Sequence, residues 1–327
     1  MRKVLLSIAL LLILLPGISA AADVTMVFGG DVMLGRAVRD QIVKVGKNDG
    51  AWATTKVADV FRNAQLAFVN LESPFAPGAA LGYSLVFRAN PSHVTALTKA
   101  GIDVVSFANN HSRNQGALGI QTTHSLLKEN AIATAGAGLS SAEAYAPRYL
   151  RAGNLFVAVL AYTYNEKAPT TPRSTPTVAG MDIGRMQAAV RVAKAKKNFV
   201  VVSMHAGTEY TLTRTSQQTK FAHAAIDAGA DLVVGHHPHW VQGVEKYKGK
   251  PILYSLGNLV FDQPWSLETQ QGAVAIVTVS NGRVSKVQYR PVKIDRAAQP
   301  RWMTTAEAAP VLKRIGLPKN GTLSMAN

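Results

Sequence analysis

Three observations predict an α/β fold. Short runs rich in β-forming residues alternate with helix-patterned segments along the 327-residue chain. A β-rich stretch with hairpin signals interrupts this alternation, which then resumes. Five of the predicted strands stop at polar clusters, and open α/β sheets gather ligand-binding residues beyond the carboxyl ends of their strands.

Met1-Arg2-Lys3 is a short positive region, residues 4–15 are apolar apart from Ser7, and Pro16, Gly17 and small residues follow. That order reads as a secretory signal over residues 1–22, cleaved after Ala20 or Ala22 or kept as an anchor; the competing reading is a buried first strand. The apolar run, about 12 residues, is short for a bilayer span. The protein is therefore expected outside the cytoplasm, in the periplasm or at the cell surface. The sequence has no cysteine. Neither a disulfide nor a lipid on a cysteine is then available, and the fold must stand on its core or on metal. The remaining 305 or so residues suffice for one large α/β domain. We expect it over residues 23–300, with 301–327 as a tail carrying a short helix.

Residues 24–28 read as a buried strand that ends in Gly29-Gly30-Asp31, and residues 52–63 as a helix. A strand at 66–69 ends in Asn70-Leu71-Glu72. Pro91 opens a helix that runs to about Lys99, since proline is tolerated in a first turn. A strand at 104–107 ends in Ala108-Asn109-Asn110-His111, followed by a helix at 116–129 and a short strand at 132–134. Gly153-Asn154 marks a hairpin turn before the apolar run 155–162. Residues 165–180, with three prolines among threonines, read as a long rim loop. A helix at 182–196 precedes a strand at 199–203 that ends in Met204-His205. A helix at 216–228 precedes a strand at 232–234 that ends in Gly235-His236-His237-Pro238-His239. Hairpins around 247–251 and around Asn281-Gly282 follow, then a helix at about 305–315.

The chain carries 35 Lys+Arg against 19 Asp+Glu, a net charge of +16, of which loss of the signal removes only Arg2 and Lys3. A basic surface favours anionic partners such as an acidic polymer, a lipid headgroup layer or nucleic acid, or serves only solubility. The charges are scattered and no aromatic-plus-basic motif accompanies them, so nucleic acid is not an expected partner.

Five of the eight histidines (111, 205, 236, 237 and 239) fall in the strand-end clusters, alongside Asp31, Asn70 with Glu72, and Asn110. Carboxylate, amide oxygen and imidazole together suit a borderline divalent ion such as manganese, zinc or iron. No thiolate is present for a structural zinc cage. Any one of these residues alone is more economically a turn, a cap or a hydrogen-bonded polar group. Together they exceed the needs of one ion, and two ions sharing a carboxylate account for the number.

These motifs resemble those of the CapA-type capsule-synthesis (poly-γ-glutamate) proteins, relatives of the calcineurin-like metallophosphoesterases. The resemblance rests on residues 28–36 (FGGDVMLGR), 70–72 (NLE), 108–111 (ANNH), 205–210 (HAGTEY), 235–239 (GHHPH) and 254–263 (YSLGNLVFDQ), in that order. It implies a four-layer sandwich, two mixed β-sheets flanked by helices, and a metal-dependent hydrolase or an accessory protein of capsule-polymer export beside membrane-associated synthesis machinery. It further implies a first metal on Asp31, Glu72 and His239, and a second on Asn110, His205 and His237 with Glu72 bridging. By the same resemblance Asp31 and His111 belong to the catalytic set, His111 protonating the leaving oxygen or holding negative charge. Arg36 would grip a phosphate or carboxylate in bidentate fashion, and Asn258, with Gln263, would touch substrate. Three positions depart from the relatives' pattern. Met33 stands where a metal-binding histidine is usual, Asn114 where an aspartate is usual, and His236 where a small residue is usual.

Overall fold

The computed structural model describes residues 22–79, 81–82, 84–164, 175–296 and 298–325. All of the predicted signal segment but Ala22, and residues 165–174 of the predicted rim loop, lie outside this set. Among the described residues no helix is long and apolar enough to cross a membrane.

Two mixed sheets form the centre. The first runs in the order Pro300–Trp302, Arg283–Ile294, Gln271–Ser280, Val24–Val32, Leu66–Leu71, Val104–Ser106, Ala133–Ala135. Asn258–Val260 also pairs with Val24–Val32, and Thr322–Ser324 with Arg283–Ile294. The segment read as a tail thus contributes edge strands, and the fold extends to Met325. The second sheet runs Val244–Tyr247, Lys250–Leu253, Leu232–His236, Phe199–His205, Leu155–Thr163, Arg148–Ala152.

Side-chain alternation shows how the layers stack. In the second sheet Val157, Val159, Phe199, Val201, Leu232 and Val234 join the core shared with the first sheet. Their neighbours Ala158, Leu160, Val200, Val202, Met204 and Val233 join a separate core with Met186 and Val190 of the Ile183–Ala195 helix and Phe221 and Ala225 of Ser216–Ala228. Since strand side chains alternate between faces, one face meets the other sheet and one meets helices, and apolar runs without polar alternation follow. The helices Arg36–Lys44, Ala58–Arg62 and Gly116–Glu129 bury Val38, Ile42, Phe61, Ile120 and Leu127 against the first sheet. The result is the four-layer sandwich of two mixed sheets between helices.

The helices at 116–129 and 216–228 form as the sequence predicts. The second has a Thr215/Gln218 capping box and ends at Gly229 in the left-handed region, at φ 113°. The predicted 52–63 helix is broken into a 3-10 turn, Gly50–Ala53, and a short helix, Ala58–Arg62. Thr54 and Thr55 both donate their hydroxyls to the Ala51 carbonyl, at 3.3 and 2.8 Å, and such local bonds compete with helix. The first strand runs past Phe28 to Val32, so Asp31 lies within it and not beyond its end. The last part of the predicted rim loop also has structure, since Thr177–Val178 pairs with Ala137–Gly138.

Val24–Val32, Leu66–Leu71, Val104–Ser106 and Ala133–Ala135 run parallel, as do Leu155–Thr163, Phe199–His205 and Leu232–His236. Their carboxyl ends bring Asp31, Glu72, Asn110, His111, His205, His237 and His239 to one edge of the sandwich.

Candidate metal centre

Asp31, Glu72 and His205 are fully buried, and each offers a ligand atom within 4.8 Å of the other two. Asn70 gathers them. Its Nδ2 donates to Asp31 Oδ1 at 2.8 Å and to Glu72 Oε2 at 3.2 Å, and faces His205 Nδ1 at 3.3 Å. Asn109 fixes which way that amide points. Its Nδ2 donates to the Leu71 carbonyl at 2.7 Å and to Asn70 Oδ1 at 3.3 Å, so the Asn70 amino group must turn toward the carboxylates. On the other side of His205, Nε2 meets Asn110 Oδ1 at 2.8 Å. The His205 and His237 rings are 4.8 Å apart, and those of His237 and His239 6.2 Å. His237 and His239 hold left-handed backbone, at φ 100° and 57°. Such conformations cost of order 1–3 kcal/mol for non-glycine residues and concentrate at functional sites.

Asp31 Oδ2 and Glu72 Oε1 are buried without a hydrogen-bond partner, and so is His237 Nδ1. The nearest complementary groups to the two oxygens are His239 Nδ1, 3.3 Å from Asp31, and His239 Nε2, 3.8 Å from Glu72. Unmade bonds on buried carboxylate oxygens are costly, and a cation between them would satisfy both. The donor set, carboxylate with imidazole and amide, fits a divalent ion of the manganese, iron or zinc kind.

The electrostatics agree. Burial, reinforced by the Asp31 charge, pushes Glu72 well above the ordinary carboxylate range. Burial also acts to raise Asp31, but the His239 ring 3.3 Å away, the nearby His236 and the Asn70 hydrogen bond outweigh it, and its carboxyl sits low. Burial pushes His205 well below the imidazole range and His237 down to about 3. Both rings are therefore neutral near pH 7, the form that binds metal.

His239 is oriented by Asn258, which had been expected to touch substrate. Asn258 is fully buried, and its Nδ2 donates to the Thr269 carbonyl and Gln263 Oε1, both at 2.9 Å. Its Oδ1 therefore faces His239 Nδ1 at 2.9 Å, which must donate and leaves Nε2 free as a ligand. Partners that fix the tautomer of a metal-binding histidine affect affinity strongly. We expect Asn258→Ala to weaken metal binding about 10–100-fold, read by competition with a chelating indicator, with little change in the far-UV spectrum.

His111 is set by Asn114. Asn114 Oδ1 accepts from the Phe87 amide at 2.6 Å, so it is the oxygen, and His111 Nδ1 must donate to it across 2.9 Å. The lone pair on Nε2 then points to the centre, 3.9 Å from Glu72 Oε1. Phe87 stacks on the ring at 3.7 Å, and burial pushes His111 down to about 4. His111 is therefore neutral near pH 7, with Nε2 unprotonated.

Arg36 does not present a free fork. Its Nε and Nη2 both reach Asp262 Oδ1, the first at 3.1 Å, while Asp262 Oδ2 accepts from the Ala37 amide at 3.0 Å. The chain's own carboxylate fills the place expected for a ligand. Met33 is buried with its Sδ on the Gly35 amide at 3.0 Å, and contributes no nitrogen ligand. His236 bridges the sheets, its Nε2 on the Gly29 carbonyl at 3.1 Å and its ring against Phe68. Sequence reasoning missed the orienting roles of Asn70 and Asn109 and the part played by Asp262. Asn70 carried a signal, being polar at the end of an otherwise apolar buried strand.

The four-layer sandwich is a metallophosphoesterase-like fold. A phosphatase from Mycoplasma pneumoniae superposes with a TM-score of 0.51 at 15% identity, over 83% of this chain and 94% of that one. A 5'-nucleotidase precursor from Thermus thermophilus gives 0.50 at 16% identity, over 86% and 56%. At such identities the likeness is one of fold. Residues 25–263 match the bacterial capsule synthesis protein PGA_cap, and the chain belongs to that family. The PGA biosynthesis protein CapA of Bacillus subtilis (strain 168) is 30% identical over 83% of this chain and 71% of its own length. The capsule biosynthesis protein CapA of Bacillus anthracis is 30% identical over 86% and 70%.

Proposed function

We propose that this is an exported, metal-dependent hydrolase of capsule or poly-γ-glutamate biosynthesis, acting on a phosphate ester or a related anionic group. One observation carries the reading: Asp31 and Glu72 are buried together beside neutral His205, with an oxygen of each left without a partner. Asp31, Glu72 and His239 would hold one divalent ion, and Asn110, His205 and His237 a second, with Glu72 between them. Manganese, zinc or iron held there supplies Lewis acidity toward a phosphoryl oxygen and lowers the pKa of an attacking water. Asn70 and Asn258 keep the ligands in register. His111, neutral and held by Asn114, takes a proton from solvent at Nε2 as an anionic group arrives and donates it to the leaving oxygen. The basic surface supports an anionic polymer or phosphate-containing partner and a place beside membrane-associated capsule machinery, and the signal-like N-terminus supports export.

The test is metal content together with hydrolysis of bis-p-nitrophenyl phosphate by the protein expressed from residue 23. Two bound ions per chain are expected, with turnover abolished by chelator and restored by manganese or zinc. The net charge of +16 also favours a second reading, an accessory protein that binds an acidic capsule polymer. No bound metal and no turnover, with tight binding to polyglutamate, would establish the second reading and overturn the first.

A further inference from the structure

An aromatic corner with its own carboxylate stands at the mouth of the centre. Tyr210 stacks on His239 with ring centroids 5.9 Å apart, and Tyr164 lies 4.8 Å from His237. The two tyrosines therefore flank the His237–His239 pair. Trp265 meets Tyr210 nearly at right angles, 79° at 6.0 Å, and completes the corner. All three rings are open to solvent, Tyr164 at 37%, Tyr210 at 39% and Trp265 at 58%. Tyr210 is held in place by its amide on the Pro238 carbonyl at 3.0 Å and by Gln263 Nε2 on its hydroxyl at 3.4 Å. Its backbone is left-handed, at φ 59°.

Glu209 adjoins this corner as the residue directly before Tyr210, and it is half-buried. Its charge acts on Tyr210, Tyr164 and Glu72. The nearby cation, Arg36, is already committed to Asp262. Glu209 thus adds negative charge to a site that holds two buried carboxylates, and makes no ion pair among the described residues. A neutral ring-stacking platform has no use for that charge. Perpendicular aromatic faces beside a carboxylate are how proteins hold alkylammonium groups.

We propose that Tyr210, Trp265 and Glu209 form a subsite for an alkylammonium group, so that the substrate carries a cation beside its hydrolysed phosphoester. This rests on the metal-centre reading for its catalytic part but not for the binding itself. Choline is expected to quench tryptophan fluorescence saturably, and its neutral isostere 3,3-dimethylbutan-1-ol to bind more weakly. Glu209→Gln, which keeps every tryptophan, should weaken choline binding about tenfold, with its thermal midpoint unchanged. The preference in kcat/KM for p-nitrophenylphosphorylcholine over bis-p-nitrophenyl phosphate should fall by a similar factor, through KM. Equal binding of choline and the neutral isostere, or choline binding unaffected by Glu209→Gln, overturns the proposal. If neither ester is hydrolysed, the choline titration alone decides, and the failure is that of the catalytic reading.

Discussion

Gly30→Ala is expected to cost at least about 3 kcal/mol, at the upper end of what overpacking does. The reason is space, not backbone freedom. A Cβ on Gly30 would sit 2.0 Å from the Gly257 carbonyl oxygen, 2.9 Å from the Gly257 carbonyl carbon and 3.2 Å from the Leu256 oxygen. All three are backbone atoms, so no rotamer change relieves the overlap. The same Gly257 oxygen accepts the Asp31 amide at 2.9 Å, and the next residue, Asn258, pairs with Asp31 in register. Moving the strands apart therefore disturbs the ladder and the His239–Asn258–Asp31 geometry together. Thermal unfolding should fall by roughly 6–10 °C and metal affinity should fall with it. Gly184→Ala is the control, since its Cβ would meet only Asp182 Oδ1, at 3.4 Å, an ordinary contact. A Gly30→Ala protein as stable as the control would show that the two strands are not packed this closely.

Gly30 also shows where sequence reading stops. A Gly-Gly pair before an aspartate reads as the end of a strand. Its actual role, letting a strand from far along the chain approach, depends on a pairing with residues 256–258 that no local pattern announces. The same holds for Arg36, whose partner Asp262 is 226 residues away, and for Asn258, whose place beside His239 follows from two strands meeting across the sandwich. Local signals were more informative. The Ser216–Ala228 helix has its cap, its apolar stripe and its stop glycine within 15 residues of sequence, and its bounds were legible. The gathering of Asp31, Glu72 and His205 was legible too, because parallel strands deliver their carboxyl ends to one edge whatever their order in the sheet. What the pattern could not supply was orientation, because Asn70, Asn109 and Asn258 act through bonds to carbonyls and rings that only the folded chain brings near.

Glu72→Gln separates stability from function. In the metal-free protein Glu72 is fully buried against Asp31, and among the described residues one amide bond from Asn70 is its only hydrogen bond from another side chain. Burial, then the Asp31 charge, holds its pKa well above the ordinary value of 4.5. The folded chain consequently keeps a proton that the unfolded chain gives up. Stability from this group is intact below pH 4.5 and is lost as pH rises toward its folded pKa. The buried histidines act in the opposite direction. His111 and His237 are held down to about 4 and about 3, so their cost grows as pH falls below 6.5. Glutamine copies the protonated, neutral form of Glu72. The metal-free variant should therefore melt higher than wild type at pH 7, with the gap closing as pH approaches 4. Metal should reverse the order. Manganese or zinc bound at the folded site should raise the wild-type midpoint in proportion to the logarithm of its concentration and leave Glu72→Gln nearly unmoved. Hydrolysis of bis-p-nitrophenyl phosphate should fall by about three orders of magnitude in the variant, equivalent to roughly 4 kcal/mol of lost transition-state stabilisation. A variant that melts lower without metal and is still stabilised by it would mean that Glu72 is a structural carboxylate and that the cation, if one binds, sits elsewhere.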